Sequence, residues 1–143
     1  MERDFMCPHC GGYLNVAGHI IFSVNKSNKK KGLILLSPQI GNYTSDKHKE
    51  FNLAKGEAVA FFCPMCQKTL TSDIDENLVH VRMHEGAGKE FDIYFSRIAG
   101  EQSTYQVSDD EFFKAGKDAG RYTYFKLSDK YKPLVKRKRR QKK

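Results

Sequence analysis

Two short stretches, Cys7-Pro8-His9-Cys10 and Cys63-Pro64-Met65-Cys66, hold all four cysteines of the chain, and they constrain its fold more than any other feature. Each is a C-P-x-C loop, and the flanks repeat as well. Phe5 and Phe61 stand two residues before each pair, and Leu14 and Leu70 stand four after. The chain therefore writes one hairpin loop twice. A C-x-x-C spacing on a tight turn lets both thiolates point at one centre, and two such turns supply the four ligands of a tetrahedral site. The expectation is one structural Zn²⁺ per chain on Cys7, Cys10, Cys63 and Cys66. Four thiolates close the coordination sphere and leave no position for water or substrate. Tetrahedral sulfur also suits iron, so iron in the same cage is the alternative metal.

Two further readings of the cysteines compete. Cys7-Pro8-His9-Cys10 resembles the redox motif of strongly oxidising thioredoxin-like enzymes, where the pair follows a strand and opens a helix that stabilises the thiolate. Only six residues precede Cys7, and Gly11-Gly12 after Cys10 is a poor helix start, so this reading is disfavoured. Two disulfides are the other reading. No secretory leader pattern precedes Cys7, so a reducing, cytoplasmic setting is expected, and disulfides are disfavoured there.

The net charge of +8 is unevenly placed. Of the 25 Lys and Arg, nine fall between Lys130 and Lys143, where there is no acid, and the remaining 16 face 17 Asp and Glu. Residues 1–129 are thus read as a near-neutral domain and 130–143 as a basic, disordered tail. Lys136, Arg137, Lys138, Arg139, Arg140, Lys142 and Lys143 are the candidate nucleic-acid contacts, made to phosphates without reading sequence. Lys29, Lys30 and Lys31 would add to them if they lie on the same side. With ten Phe, seven Tyr and no Trp, the chain has material for a small aromatic-rich core, and a metal would add to its stability. No apolar run approaches a membrane span.

The pattern along the chain is mostly β. Ile20 to Val24 and Leu33-Ile34-Leu35-Leu36 read as paired strands, the second a buried one, joined by a basic loop. Residues 44–56 have no sustained period and read as loop. Val59 to Phe62 is a strand running into Cys63. Val79, Val81 and Met83 alternate with His80, Arg82 and His84, which predicts a strand with a solvated histidine face. On a strand His80 and His84 lie roughly 13 Å apart, too far to share a metal. Phe91, Ile93 and Phe95 predict its hairpin partner, and Tyr105 to Val107 another strand. Ser108-Asp109-Asp110-Glu111 has the form of a capping box, which predicts one short helix ending near Gly116. Tyr122 to Leu127 is aromatic and β-prone. The fold class expected is a small antiparallel β domain organised on two zinc knuckles, with one short helix.

The doubled Phe-x-Cys-Pro-x-Cys-x₃-Leu pattern resembles the knuckles of zinc ribbons, which implies a β-rich zinc-binding module. The run Gly32 to Pro38, the second knuckle and Ser96-Arg97-Ile98-Ala99-Gly100-Glu101 are similar to a poorly characterised bacterial group of small zinc-ribbon proteins. The wide gap between the pairs also resembles β-tent folds such as the B-type methionine sulfoxide reductases. Those enzymes need a further cysteine as nucleophile, and this chain has none outside the two pairs.

No catalytic constellation stands out. Asp73, Asp75 and Glu76 are clustered as loop acids commonly are, and Ser96, Arg97 and Glu101 form either a polar site beside the sheet or a surface ion pair. A non-enzymatic zinc module with a nucleic-acid-binding tail is the leading expectation. A protein–protein adaptor presenting His9, Met65 and Lys68 is the alternative, and redox or iron chemistry at the four cysteines is the third.

Overall fold

The computed structural model describes residues 3–26, 28–86, 88–108 and 111–119. Among these residues ten strands run in chain order: β1 (Arg3–Met6), β2 (Asn15–Val16), β3 (His19–Asn25), β4 (Lys31–Leu36), β5 (Ser45–Lys47), β6 (Ala60–Phe62), β7 (Leu78–Glu85), β8 (Lys89–Ser96), β9 (Thr104–Val107) and β10 (Phe112–Ala115). They form two antiparallel sheets. The first has the order β1-β7-β8-β9-β10. In the second, β2-β3-β4-β5 are successive neighbours and β6 also pairs with β3. β4 covers one edge of β3, from Ile20 to Asn25, so β2 and β6 divide the other edge between them.

Alternation decides which side chains meet between the sheets. Val79, Val81 and Met83 of β7 are at most 1% exposed and join Phe5, Phe91 and Ile93 on one face of the first sheet. Ile20, Phe22, Val24, Ile34 and Phe61 project from the second sheet into the same core. Phe22, Phe61 and Phe95 form its centre, with ring centroids 5.3–5.6 Å apart and mostly edge-to-face, the arrangement favoured by aromatic quadrupoles. The first sheet also has a smaller core on its opposite face, where Leu78, Tyr94, Tyr105 and Val107 pack with Ala119.

The predicted strands and the β7–β8 hairpin are present, and four expectations need correction. The short helix is absent: no α-helix occurs among the described residues, and Phe112–Ala115 is strand β10 paired with β9. The Glu111 amide does donate to Ser108 Oγ at 3.1 Å, as in a capping box. The same local bond also closes turns. Here the Ser108 amide donates to the Glu111 carbonyl at 2.9 Å, and Phe112 stacks on Tyr105 across the strand pair, which carries the chain back as a hairpin. The 44–56 loop contains β5, held by its register against β4 despite three exposed side chains. β4 is not buried throughout: Ile34 is 4% exposed and Leu33 is 54% exposed, because only alternate residues face the other sheet. The histidine face of β7 is also not simply solvated. Leu78 on that face is buried, and His80 stacks on Tyr94 at 4.7 Å and contacts Asp92 at 2.7 Å.

The boundary expected at 129/130, the Tyr122–Leu127 segment and the basic tail lie outside the described residues. Among the described residues no helix is long and apolar enough to cross a membrane.

This packing gives a paired expectation. Phe22→Ala, at the aromatic centre, should cost about 3–5 kcal/mol of unfolding free energy. Leu33→Ala, one face over on the neighbouring strand, should cost less than about 0.5 kcal/mol. Urea unfolding of both variants measures the difference, and equal losses would contradict the face assignment.

Candidate metal centre

Each cysteine pair sits on the turn after a short strand, one from each sheet. β1 leads into Cys7 and β6 leads almost directly into Cys63. The two turns are built alike, bond for bond. The Cys7 amide donates to the Gly12 carbonyl at 3.0 Å, and the Cys63 amide donates to the Lys68 carbonyl at 3.1 Å. Gly11 and Gln67 each donate back to the first cysteine of their pair at 2.9 Å, and both have positive φ, 75° and 67°. Leu14 donates to the Phe5 carbonyl and Leu70 to the Phe61 carbonyl, which closes each hairpin and buries both leucines beneath the cysteines. The repeated Phe and Leu of the sequence pattern are therefore the closing pair of each hairpin.

The four sulfurs converge. All lie within 4.8 Å of one another, and two of the four separations between hairpins, Cys7–Cys66 and Cys10–Cys63, are both 3.8 Å. A tetrahedron with metal–sulfur bonds of about 2.3 Å has sulfur–sulfur edges of about 3.8 Å. The donor set therefore fits a tetrahedral, four-thiolate metal ion, and none of the cysteines is in a disulfide. Backbone amides point at the sulfurs as well. His9 and Cys10 amides lie 3.3 and 3.4 Å from Cys7 Sγ, and Met65 and Cys66 amides lie 3.3 and 3.4 Å from Cys63 Sγ. Such donors offset thiolate charge and orient the ligands.

The hairpins also grip each other beside the sulfurs. His9 Nε2 lies 3.0 Å from the Thr69 carbonyl, so His9 is a neighbour of the cluster and not a fifth ligand. In return Met65 lies on Gly12: a Cβ at Gly12 would sit 2.6 Å from Met65 Sδ. A side chain at position 12 would therefore have to displace the Met65 thioether. No helix follows Cys10, which removes the structural basis of the thioredoxin-like reading. His80 and His84 do not share a site, since His80 contacts Asp92 and His84 contacts Glu90.

Burial pushes the Cys7 thiol up to about 12, against the His9 and Cys10 amides that favour the thiolate. Burial raises Cys63 as well, whereas the amide of Lys68 lowers Cys66.

Ser96, Arg97 and Glu101, the second polar grouping suggested by sequence, do converge: all three line one cleft of about 320 Å³ at the edge of the core between the sheets. Sequence reasoning missed the rest of that cleft, because its opposite wall comes from residues 37–43 on another loop. The tail residues Lys136, Arg137, Lys138, Arg139, Arg140, Lys142 and Lys143 lie outside the described residues.

Comparison of the chain with protein-family models, with curated proteins and with solved structures returns no match.

The raised thiols carry a sign. Metal ligation requires thiolates, and at neutral pH the Cys7 thiol of the metal-free site is protonated, since its value is about 12. Metal entry must expel that proton, so apparent affinity should rise with pH and fall on acidification, by about tenfold or more per unit between about pH 6 and about pH 8. Competition titration with a chelator measures it, and an affinity independent of pH would contradict protonated ligands.

Proposed function

We propose that this chain is a non-enzymatic binding module whose two sheets are held by one structural Zn²⁺ on Cys7, Cys10, Cys63 and Cys66, and whose basic C-terminal segment contacts RNA or DNA without reading sequence. The observation that carries the reading is the closed sulfur cluster. Four cysteine sulfurs within 4.8 Å fill a tetrahedral sphere and leave no open position at which the metal would do chemistry.

The nucleic-acid part rests on charge. Lys136, Arg137, Lys138, Arg139, Arg140, Lys142 and Lys143 form an acid-free run suited to phosphates. The folded part adds local support. The β3–β4 turn carries Lys29 and Lys30, with Lys31 opening β4, and Lys30 Nζ donates to the Glu50 carbonyl at 2.8 Å, which brings this turn beside the segment bearing Lys47 and Lys49. A second reading, a protein adaptor, is favoured by the exposed apolar groups on the knuckles: Tyr13 is 64% exposed and Met65 is 51% exposed.

Two variants separate the parts. A chain ending at Lys132 should keep its metal and fold but lose salt-dependent binding to single-stranded RNA. For the full chain, the slope of log affinity against log salt should reach about −5 if all seven removed basic residues contact phosphates. Cys63→Ser should lose the metal and cooperative unfolding together. RNA binding unchanged by truncation would refute the tail's role, and a cooperatively folded Cys63→Ser chain would refute the structural metal.

A further inference from the structure

The cleft between the sheets has a floor and a rim of different chemistry. Its floor is apolar core, including Ile20, Ile34, Phe61 and Phe95. Its walls are two loops, residues 37–43 after β4 and residues 96–102 after β8. At about 320 Å³ it falls at the small end of the range that holds organic ligands.

Arg97 lies in this lining. Its backbone is pinned, with its amide donating to Asn77 at 3.0 Å and its carbonyl accepting from Val59 at 3.1 Å. Within its side chain, Nε is buried with no hydrogen-bond partner. A buried guanidinium nitrogen without an acceptor is costly, and an arginine held this way is unusual unless an acceptor visits. Lys47 adds a second cation to the lining. Glu101, the carboxylate in the same wall, has an interaction of its own. Tyr43 is also committed, its hydroxyl lying 2.7 Å from Thr104 Oγ1 and donating to the Ala115 carbonyl at 3.1 Å.

We propose that this cleft binds a small carboxylate with an apolar body, its tail on the floor between the sheets and its head taken by the fork of Arg97. A guanidinium presents paired N–H donors that match the two oxygens of a carboxylate. The apolar floor selects the body, and the Arg97 guanidinium in the lining, with Lys47 as a second cation, selects the head. The site is distinct from the sulfur cluster, since no cysteine lines it.

Octanoate is a suitable probe, titrated into the metal-loaded full chain by calorimetry, with amide chemical shifts locating the site. One molecule should bind per chain, shifting residues 37–43 and 96–102. Octanamide, the neutral isostere, should bind about tenfold more weakly to the same protein, and Arg97→Gln should reduce octanoate affinity by about tenfold. Arg97→Lys should fall between, since it keeps the charge and loses the fork. Because the octanamide comparison needs no variant, it stands even if Arg97→Gln fails to fold. No octanoate binding up to about 10 mM, equal binding of octanamide, or shifts confined to other residues would each overturn the proposal.

Discussion

The rest of the structure depends on the convergence of four sulfurs from hairpins that are far apart in sequence. Cys10 and Cys63 are 53 residues apart and 3.8 Å apart in space. Closing a loop of that length costs roughly 3.5 kcal/mol of chain entropy beyond a constant. A small core could supply that only with difficulty, whereas a structural metal contributes on the order of 10 kcal/mol or more. The effect reaches both sheets because β1 belongs to one and β6 to the other, and each runs toward a cysteine pair. Tying the two pairs together thus ties the sheets, and the Phe22–Phe61–Phe95 cluster forms in the space between them.

The near-identity of the two hairpins shows what a knuckle requires and what it leaves free. The amide-to-carbonyl closure, the buried Leu and the residue with positive φ occur in both. The solvent-facing positions differ. His9 on one hairpin reaches Thr69 of the other, while Met65 lies across Gly12. These unlike contacts give the near-symmetric pair a fixed relative placement, and they leave Tyr13 and Met65 exposed beside the sulfur cluster.

Much of this was legible in the chain. The cysteine spacing gave the cluster, and the alternation of Val79, Val81 and Met83 and of Phe91, Ile93 and Phe95 gave a hairpin with one buried face, because side-chain period and burial are both local. Partners were not legible. Nothing in Arg3–Met6 says that it pairs with β7, since strand pairing is set by distant residues. The Ser108–Glu111 signal misled because a hydroxyl accepting from an amide three residues on serves both a helix start and a turn, and the adjacent β9 decided between them. Leu33 misled because four apolar residues in a row look buried, although a strand turns alternate residues outward. Ser96, Arg97 and Glu101 were visible as a polar group, but their cleft needed the loop at 37–43.

The sulfur cluster and the aromatic centre hold the two sheets, and the cleft and the knuckle tips lie at their margins. All of that rests on the four-cysteine cluster. The most direct test is elemental analysis of protein purified without added metal, combined with thiol counts before and after denaturation. One zinc per chain, with all four thiols unreactive until the protein is unfolded, is the expected result. A metal-free chain that folds cooperatively with its cysteines reactive would contradict the central claim, and one iron per chain would keep the clamp while replacing the ion.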